Sequence, residues 1–380
     1  MQFSHVLLEN WRNFQRVDVE LQNRVFLIGP NASGKSNFLD AFRFLRDIVI
    51  AGGGFQKSVA DRGGVSRIRS LAARRYPNIA IDVVLQEKDE TVWQYRIAFN
   101  QDNQRQPILK EEKVWHGGVL ILDRPTPEDQ ADEARLRQTY LEQTIANRDF
   151  RLIADFFASI RYYHIVPQLV RDPERSIGHT SDPYGGDFLE QIARTNKKTR
   201  DARLRYIQTV LKVAIPQLDM LKLDKDEQGV PHLYGKYEHW RPQGAWQSEA
   251  DFSDGSLRLM GLLWAFLDGS GPILLEEPEL SLHPEIVRHI PQMMYRLQRQ
   301  RGRVARQIIL STHSSDLLSD QGIAADEILL LKPSEAGSIV SVGVDIDEVK
   351  HLMEAGLTAA EVGLPHTKPA NAAQLALFEG

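Results

Sequence analysis

One octapeptide constrains this chain more than any other feature. Residues 29–36 read Gly-Pro-Asn-Ala-Ser-Gly-Lys-Ser and match the pattern G-x-x-x-x-G-K-[ST] at every fixed position. A continuous apolar run at residues 24–28 precedes the octapeptide, and a helix-like stretch at residues 35–50 follows it. A loop of this kind wraps backbone N–H groups around a phosphate, while Lys35 reaches the β- and γ-phosphates and the Ser36 hydroxyl binds Mg²⁺. The sequence therefore predicts a nucleotide-binding loop.

The composition excludes several kinds of site. The 380 residues contain no cysteine, which rules out disulfides, thiolate zinc sites and a cysteine nucleophile. Lys and Arg total 46 against 51 Asp and Glu, and this net charge of −5 argues against a chain coated in nucleic acid. The longest nearly unbroken apolar run, residues 259–267, is about half of what a bilayer span requires. No secretory signal pattern follows Met1, so we expect a cytoplasmic protein with no membrane partner.

The apolar patterns predict a chain of mixed α/β structure. Continuous runs, typical of strands buried on both faces, occur at residues 24–28, 272–275 and 307–310. Alternating runs predict an antiparallel sheet with one solvated face, at residues 79–85, 92–99 and 108–114. Further strands are predicted at residues 5–8, 17–21, 327–331 and 338–344, and helices at residues 128–160, 187–215, 256–267 and 284–300.

Buried strands of the parallel type lie near both ends of the chain. This arrangement predicts one sheet assembled from segments that are distant in sequence, and we divide the chain into four segments on that basis. Residues 1–125 are predicted to form an N-terminal lobe that contains the phosphate-binding loop and the antiparallel sheet, and residues 126–245 a mainly helical insertion. Residues 246–345 are predicted to form a C-terminal lobe, and residues 346–380 a C-terminal extension.

Three further segments place polar residues at the ends of apolar runs. Glu276 and Glu277 follow the strand at residues 272–275, where a P-loop fold holds Mg²⁺ and a second carboxylate acts as general base on a water. His313 follows another strand and is placed to sense a γ-phosphate. Residues 251–256, Asp-Phe-Ser-Asp-Gly-Ser, precede a helix and form an anion cradle. Each segment alone also has a structural explanation, respectively a solvated acidic turn, a structural histidine, and a plain turn with an N-cap.

These segments occur in an informative order along the chain. The pair Asn13-Phe14 is followed by the motifs at residues 29–37, 252–256, 274–284 and 311–314. In this combination the chain resembles the ABC-type ATPases of the RecF/SMC/OLD branch, and most closely the small predicted ATPases of bacterial operons. The resemblance extends over residues 1 to about 345. It implies an α/β P-loop NTPase fold with an ABC-type, RecF/SMC-like head, a mixed sheet, an antiparallel β lobe and a helical insertion.

The resemblance implies a role for each motif. Glu277 takes the position of the glutamate that polarises the attacking water, His313 that of the switch histidine, and Lys35 that of the catalytic lysine. Residues 253–256 take the position of the signature motif, which in this family contacts the γ-phosphate bound by a partner subunit. The implied cofactors are ATP and Mg²⁺, with Ser36 and Glu276 as metal ligands. The implied nucleotide-binding residues are Gly29, Pro30, Asn31, Ala32, Ser33, Gly34, Lys35, Ser36, Asn37, Arg12, Asn13, Ser253 and Gly255.

The sequence departs from the family pattern at the metal site. Glu276 stands where the broad superfamily more often has Asp, and the extra methylene changes the reach of the carboxylate to a hydrated metal. That difference affects the rate of turnover more than binding. The glutamine that usually binds Mg²⁺ has no clear counterpart, and Gln168 is the candidate.

A phosphate-binding loop and a signature-like loop in one chain predict a dimer in which each subunit seals the ATP of the other. We expect an ATP-binding and hydrolysing enzyme that works as a nucleotide-gated dimer in DNA repair or phage defence. The alternative is an ATP-binding scaffold with low turnover that regulates a separately encoded effector such as a nuclease. A P-loop kinase or GTPase explains the loop but not Glu276, Glu277 and His313 together. A transporter subunit is disfavoured by Asn13-Phe14 and by the long middle segment.

Besides a second copy of the chain, DNA and an operon-encoded nuclease or effector are the candidate partners. Three clusters of basic residues are visible, and they either neutralise DNA phosphates or are solvated helix faces. The clusters are Arg62, Arg67, Arg69, Arg74 and Arg75; Arg194, Lys197, Lys198, Arg200, Arg203 and Arg205; and Arg288, Arg296, Arg299, Arg301, Arg303 and Arg306. Aromatic residues do not interleave with these clusters, so stacking on single strands has little support. The stretch Arg161-Tyr162-Tyr163-His164 is predicted to be core or interface rather than a base-reading site.

Overall fold

The computed structural model describes residues 1–73, 77–87, 92–173, 182, 184–238, 245–299 and 306–367. Part of the predicted C-terminal extension lies outside the described residues, as do four arginines of the basic clusters, Arg74, Arg75, Arg301 and Arg303. The chain divides into two compact units. The first comprises Met1–Ile160, Ser270–Leu274 and Gln298–Gly380, and the second comprises Arg161–Gly269 and Leu275–Leu297.

The described residues form strands and helices in a mixed order. The strands are β1 (Gln2–Trp11), β2 (Phe14–Glu20), β3 (Arg24–Ile28), β4 (Ile79–Gln86), β5 (Val92–Gln101), β6 (Pro107–His116), β7 (Val119–Arg124), β8 (Arg161–Tyr163), β9 (Leu218–Lys225), β10 (Pro231–Tyr237), β11 (Ala245–Ser248), β12 (Ile273–Glu276), β13 (Ile308–Thr312), β14 (Ile328–Ser334) and β15 (Gly337–Val342). The helices are α1 (Lys35–Val49), α2 (Phe55–Ala60), α3 (Val65–Ile68), α4 (Pro127–Ala131), α5 (Arg151–Ala158), α6 (Pro167–Val170), α7 (Phe188–Arg194), α8 (Lys197–Ala214), α9 (Asp254–Leu267), α10 (Pro284–Val287), α11 (Ile290–Gln298), α12 (Ser315–Leu318), α13 (Asp347–Glu354) and α14 (Ala359–Gly363).

The first unit contains the predicted antiparallel sheet. Its strand order is β2-β1-β4-β5-β6-β7. On β5 the residues Trp93, Tyr95 and Ile97 are buried, whereas Gln94 and Arg96 between them are partly exposed. This period of two residues is the alternation that the sequence shows, and it gives the sheet one face toward the core and one toward solvent.

A second sheet in the first unit carries the phosphate-binding loop. Strand β3 lies between β13 and β14 and is parallel to both, while β15 pairs antiparallel with β14. Every residue of β3 and β13 is buried, which explains their continuous apolar runs. Ile28 lies opposite Thr312, so both strands end at the same edge of the sheet. The prediction of a sheet assembled from segments distant in sequence is confirmed for these strands.

An aromatic core packs α1 against the strands of the first unit. The ring of Phe3 lies 4.8 Å from that of Phe42 and 6.0 Å from that of Phe157, measured between ring centroids. Phe14 contacts Phe38 edge to face. All of these rings are fully buried, so helix α1 is fixed against both β1 and α5 by close-packed apolar surface.

The second unit is built around helix α9, whose residues Leu257 to Leu267 are buried except for a half-buried Arg258. Strand β8 lies beside β12. A small antiparallel sheet has the order β11-β10-β9, and Gln208 of α8 bonds to its edge strand, with Nε2 donating to the Asp219 carbonyl at 2.5 Å. This sheet was not predicted, because the apolar residues of β9 are interspersed with lysines and aspartates and β11 is only four residues long.

Three helix predictions are only partly right. Residues 128–160 contain α4 and α5, joined by 3₁₀ turns and irregular chain rather than by one long helix. Residues 187–215 form α7 and α8, because α7 ends at its C-cap Thr195 and Asn196 then caps α8 by accepting from the Lys198 N–H. Residues 284–300 are likewise divided into α10 and α11. In the part of the chain that the structure describes, no helix is both long and apolar enough to cross a membrane.

Candidate nucleotide site

The backbone of the phosphate-binding loop turns in left-handed conformations. Ala32 has a φ of 62° and Gly34 a φ of 98°, and Gly34 is the N-cap of α1 with no side chain capping the helix. The N-cap residue therefore supplies no side chain to the first N–H groups of the helix. A Cβ on Gly29 would lie 2.7 Å from the Leu331 carbonyl oxygen, so only glycine fits there.

The cation of Lys35 lies inside this loop. Its side chain is buried, and Nζ donates to the carbonyl oxygens of Gly29 at 3.0 Å and Pro30 at 3.2 Å. Nζ also lies 2.5 Å from Nε2 of His313. Within the described residues the buried Ser33 hydroxyl makes no hydrogen bond. A buried cation, a helix N terminus with no side-chain cap and an unsatisfied hydroxyl fit a phosphate anion.

Two asparagines support the phosphate-binding loop through hydrogen bonds. Asn13 Nδ2 donates to the Ser33 carbonyl at 3.0 Å and to the Ser338 hydroxyl at 2.8 Å, while its Oδ1 accepts from Asn37 at 2.8 Å. A Cβ on Gly34 would lie 2.4 Å from Asn13 Nδ2. The structure thus places Asn13 in direct contact with the loop and Asn37 in contact with Asn13, and both are predicted to bind nucleotide.

Arg12 lies beside the loop in a left-handed conformation, with a φ of 54°. Its Nη2 donates to Asp40 at 3.2 Å. Burial opposes ionisation of Asp40, but the Arg62 guanidinium together with Arg43 and Arg12 holds the pKa of Asp40 below its ordinary value. Arg12, Asn13 and Asn37 also line a cavity of about 1170 Å³ whose other walls include Arg67, Arg69 and residues 334–337.

The predicted acidic turn lies in the second unit. Glu276 ends β12, and its carboxylate accepts a hydrogen bond from the Tyr162 hydroxyl. Glu277 has a φ of 43°, a left-handed conformation that costs a residue with a side chain of the order of 1–3 kcal/mol. The turn continues with the Leu280 N–H bonded to the Glu277 carbonyl at 3.2 Å. Backbone strain of this kind concentrates at functional sites.

The signature-like loop is also in the second unit. Ser253 is the N-cap of α9, and its Oγ accepts from the Ser256 N–H at 3.2 Å, so the sequence's alternative of a turn with an N-cap describes the local structure correctly. Arg171 Nη2 donates to the Phe252 carbonyl and to Asp254, both at 2.6 Å. Gly255 is required because a Cβ there would lie 2.5 Å from the Ser281 carbonyl oxygen.

Gln168, the candidate metal glutamine, lies on α6 in the same unit as this loop. Its Nε2 donates to Asp254 Oδ2 at 3.4 Å. The structure therefore brings Gln168 to the signature-like loop, and its role as a metal ligand remains a prediction. Neither Arg171 nor Gln168 carries a sequence signal that links it to residues 252–256, because the contacts cross about 85 residues.

The basic clusters are partly structural. Arg62 is buried and pairs with Asp40 at 2.8 Å and Asp47 at 2.9 Å, so it belongs to neither a DNA surface nor a solvated face. Arg203 bonds Asp268 at 2.7 Å. Arg306 donates to the Gly271 carbonyl at 2.7 Å. The clusters that sequence spacing suggests are thus interrupted by arginines that hold the fold together.

The fold and the loop define the class of this protein: it is a P-loop NTPase of mixed α/β structure with an ABC-type head. Residues 24–320 match the family described as "AAA domain, putative AbiEii toxin, Type IV TA system", and the chain belongs to that family. Membership indicates an ATPase of the AAA/ABC type.

Solved structures support the fold assignment. The SMC head bound to the C-winged helix domain of ScpA aligns with a TM-score of 0.55 at 14% identity, covering 90% of this chain and 97% of that chain. An SMC head with a coiled coil and joint derived from Pyrococcus yayanosii aligns with a TM-score of 0.51 at 10% identity, covering 93% and 99%. These likenesses establish the SMC-type head fold.

One curated relative matches a short segment. The endonuclease GajA of Bacillus cereus (strain VD045) is 37% identical over 90 residues, which are 24% of this chain and 14% of GajA. The aligned segment therefore spans about a seventh of that relative.

Proposed function

We propose that this chain is a Mg²⁺-dependent ATPase that works as a nucleotide-gated homodimer. One observation carries the proposal: a single chain combines a loop shaped for phosphate around Lys35, an acidic turn at Glu276 and Glu277, and a helix that begins at a serine-glycine loop. The resemblance to ABC-type heads assigns these parts to one catalytic cycle. The family match supports the ATPase part of the proposal.

The residues of the first unit bind the triphosphate. Lys35 and the N terminus of α1 hold the β- and γ-phosphates, because a buried ammonium and helix N–H groups stabilise negative charge there. His313, in contact with Lys35, senses whether the γ-phosphate is present. Asn13 and Asn37 keep the loop in its open turn.

The residues of the second unit act on the water and the metal. Glu277 takes the general-base position, where a carboxylate orients and deprotonates the attacking water. Ser36 of the first unit and Glu276 of the second are the residues that would hold Mg²⁺, which would offset the negative charge of the phosphates. The signature-like loop from Ser253 to Ser256 donates to the γ-phosphate held by the other subunit. The γ-phosphate then links the two protomers, and hydrolysis releases them.

Light scattering on the Glu277→Gln variant tests this proposal. With Mg·ATP we expect the mass to change from that of a monomer to that of a dimer, because this variant no longer hydrolyses ATP and the dimer does not dissociate. Lys35→Ala and Ser253→Arg, each added to Glu277→Gln, should both abolish the shift. An unchanged mass in the presence of demonstrably bound ATP would contradict the gated dimer.

The second candidate function is a scaffold with low turnover that restrains a separately encoded effector. Glu276 in place of Asp is the observation that favours it, because the longer side chain changes the geometry at the metal. Turnover measured with and without linear duplex DNA separates the two functions. A rate that DNA raises supports an enzyme of DNA repair or phage defence, whereas a slow rate that DNA leaves unchanged supports the scaffold.

A further inference from the structure

One side of a short strand is directed at Glu276. In the second unit β8 lies beside β12, and the Tyr162 hydroxyl donates to Oε2 of Glu276. Nδ1 of His164 lies 3.3 Å from the backbone carbonyl oxygen of the same glutamate. Tyr162 lies within β8 and His164 directly after its end, and both side chains contact the same glutamate. Tyr163 between them points the other way and is 7% exposed.

A glutamate at this position needs such support more than an aspartate does. Glutamate has one more rotatable bond between the backbone and the carboxylate, so it loses more conformational freedom when it is fixed. Residues that bond to a metal-binding carboxylate orient it, and their loss weakens metal binding. The superfamily more often has Asp here, and the extra methylene of Glu276 carries its carboxylate out to the Tyr162 hydroxyl.

The chemistry of the tyrosine suits a metal site. A hydroxyl donates one hydrogen bond and adds no positive charge of its own beside Glu276. A lysine or arginine in the same place would compete with the metal for that charge. A neutral donor can therefore orient the carboxylate without neutralising its negative charge.

We propose that Tyr162 is a positioning residue that holds the Glu276 carboxylate in the orientation required at the Mg²⁺ side of the nucleotide site. Tyr162 acts through Glu276 and does not contact the reacting atoms. The proposal rests on the proposed function in one respect, the assignment of Glu276 as the metal-side carboxylate. It adds a residue outside the family's motifs to that assignment.

The Tyr162→Phe variant tests the positioning role of Tyr162, because it removes one hydroxyl and keeps the ring. We would titrate Mg²⁺ into the protein with a fluorescent ATP analogue and follow binding by anisotropy, with no turnover needed. The Mg²⁺ concentration at half-saturation should rise about 10-fold, the lower end of the effect of losing a residue that orients a metal ligand. Binding of the analogue in EDTA should be unchanged. Tyr163→Phe, one residue along on the opposite side of β8, is the matched control and should behave as wild type.

A double-mutant cycle separates positioning from a general loss of structure. Glu276→Asp withdraws the carboxylate from the hydroxyl, so its effect on the Mg²⁺ half-saturation should be smaller in the Tyr162→Phe background than in wild type. Additive effects of the two substitutions overturn the positioning role of Tyr162 and leave the ATPase proposal standing. The same conclusion follows if wild type requires Mg²⁺ and the Tyr162→Phe variant gives the same Mg²⁺ titration as wild type. If binding of the analogue to wild type does not depend on Mg²⁺, both the assignment of Glu276 to the metal and the positioning role of Tyr162 are overturned. Binding that survives Lys35→Ala contradicts the nucleotide site itself.

Discussion

The Nζ atom of Lys35 lies 2.5 Å from Nε2 of His313, a residue 278 positions further along the chain. The contact follows from sheet register, because β3 and β13 are parallel neighbours that end at the same edge. A lysine ammonium has only donors, so a neutral imidazole with its proton on Nδ1 is the tautomer that accepts from it. The loop predicted to bind phosphate and the histidine proposed to sense it are therefore in direct contact.

Replacing Lys35 by Ala should abolish tight nucleotide binding. The ammonium is the buried cation of the loop, and loss of a hydrogen bond to a charged group lowers affinity by about 10- to 100-fold. Anisotropy of a fluorescent ATP analogue measures the change. Lys57→Ala removes an exposed lysine that pairs with Asp61 and should leave the affinity unchanged. Equal affinities for the two variants would contradict the role of Lys35.

Gly34→Ala should lower both stability and nucleotide affinity. The residue has a φ of 98°, and a Cβ would meet Asn13 at 2.4 Å, so the asparagine that supports the loop must move. Gly52→Ala is the matched control, because Gly52 has a φ of 75° and no atom within 4 Å of the added Cβ. The control carries the backbone strain alone. Thermal unfolding and nucleotide binding of both variants should show the extra loss only in Gly34→Ala.

Arg171→Ala should weaken the ATP-dependent dimer without unfolding the chain. Arg171 bonds the Phe252 carbonyl and Asp254, so its loss frees the loop that we propose contacts the γ-phosphate of another subunit. We would measure the mass of the Glu277→Gln variant with Mg·ATP, with and without the added change. Arg194→Ala, a half-exposed arginine on α7, is the control. A dimer that persists in Arg171→Ala would argue that the loop needs no such support.

The stability of the second unit should fall as the pH rises past neutrality. Burial opposes protonation of His232, but the carboxylates of Glu249 and Asp226 raise its pKa above the ordinary value of 6.5. A raised pKa means that the folded state binds the proton more tightly, so the stabilisation is complete below pH 6.5 and is lost as the pH passes the folded-state value. The melting temperature of wild type minus that of His232→Asn should therefore be larger at about pH 6 than at about pH 8. His351→Asn, which replaces an exposed histidine on α13, is the control variant for this measurement.

Glu112→Gln should destabilise the first unit by about 3 kcal/mol, because it leaves a buried arginine incompletely paired. Arg124 donates to Glu112 at 2.8 Å and to Asp129 at 2.9 Å, and all three side chains are fully buried. Burial raises the pKa of Glu112, although Arg124 and the backbone N–H groups of Tyr140 and Leu141 oppose the rise. Glu111→Gln, on the exposed neighbour that pairs with Arg96, should cost no more than about 1 kcal/mol. Denaturant unfolding of the two variants gives the comparison, and equal losses would contradict a special role for the buried pair.

The features that could be predicted from sequence are those whose chemistry is local. The glycine and lysine spacing of residues 29–36 and the buried runs of β3, β12 and β13 each depend on consecutive residues. Asn13 shows the limit, because its bond to the Ser338 hydroxyl spans 325 residues and no short pattern encodes it. The irregular chain within residues 128–160 is similar, since the buried Arg124 holds it through the carbonyls of Arg135 and Gln138. A helical prediction there misses a buried guanidinium that bonds these carbonyls in place of helical N–H groups.

The parallel pairing of β3 with β13 also has a consequence for synthesis of the chain. Strand β3 ends at Ile28 and its neighbour begins at Ile308, so 280 residues must be added before the pair can form. At about 5–20 residues per second this takes roughly 14–56 s. During that interval an apolar strand meant for burial on both faces has left the ribosome without its neighbour. Chaperone demand and loss to aggregation should therefore depend on how fast the ribosome reaches the codons of β13, a property of the messenger rather than of the finished fold.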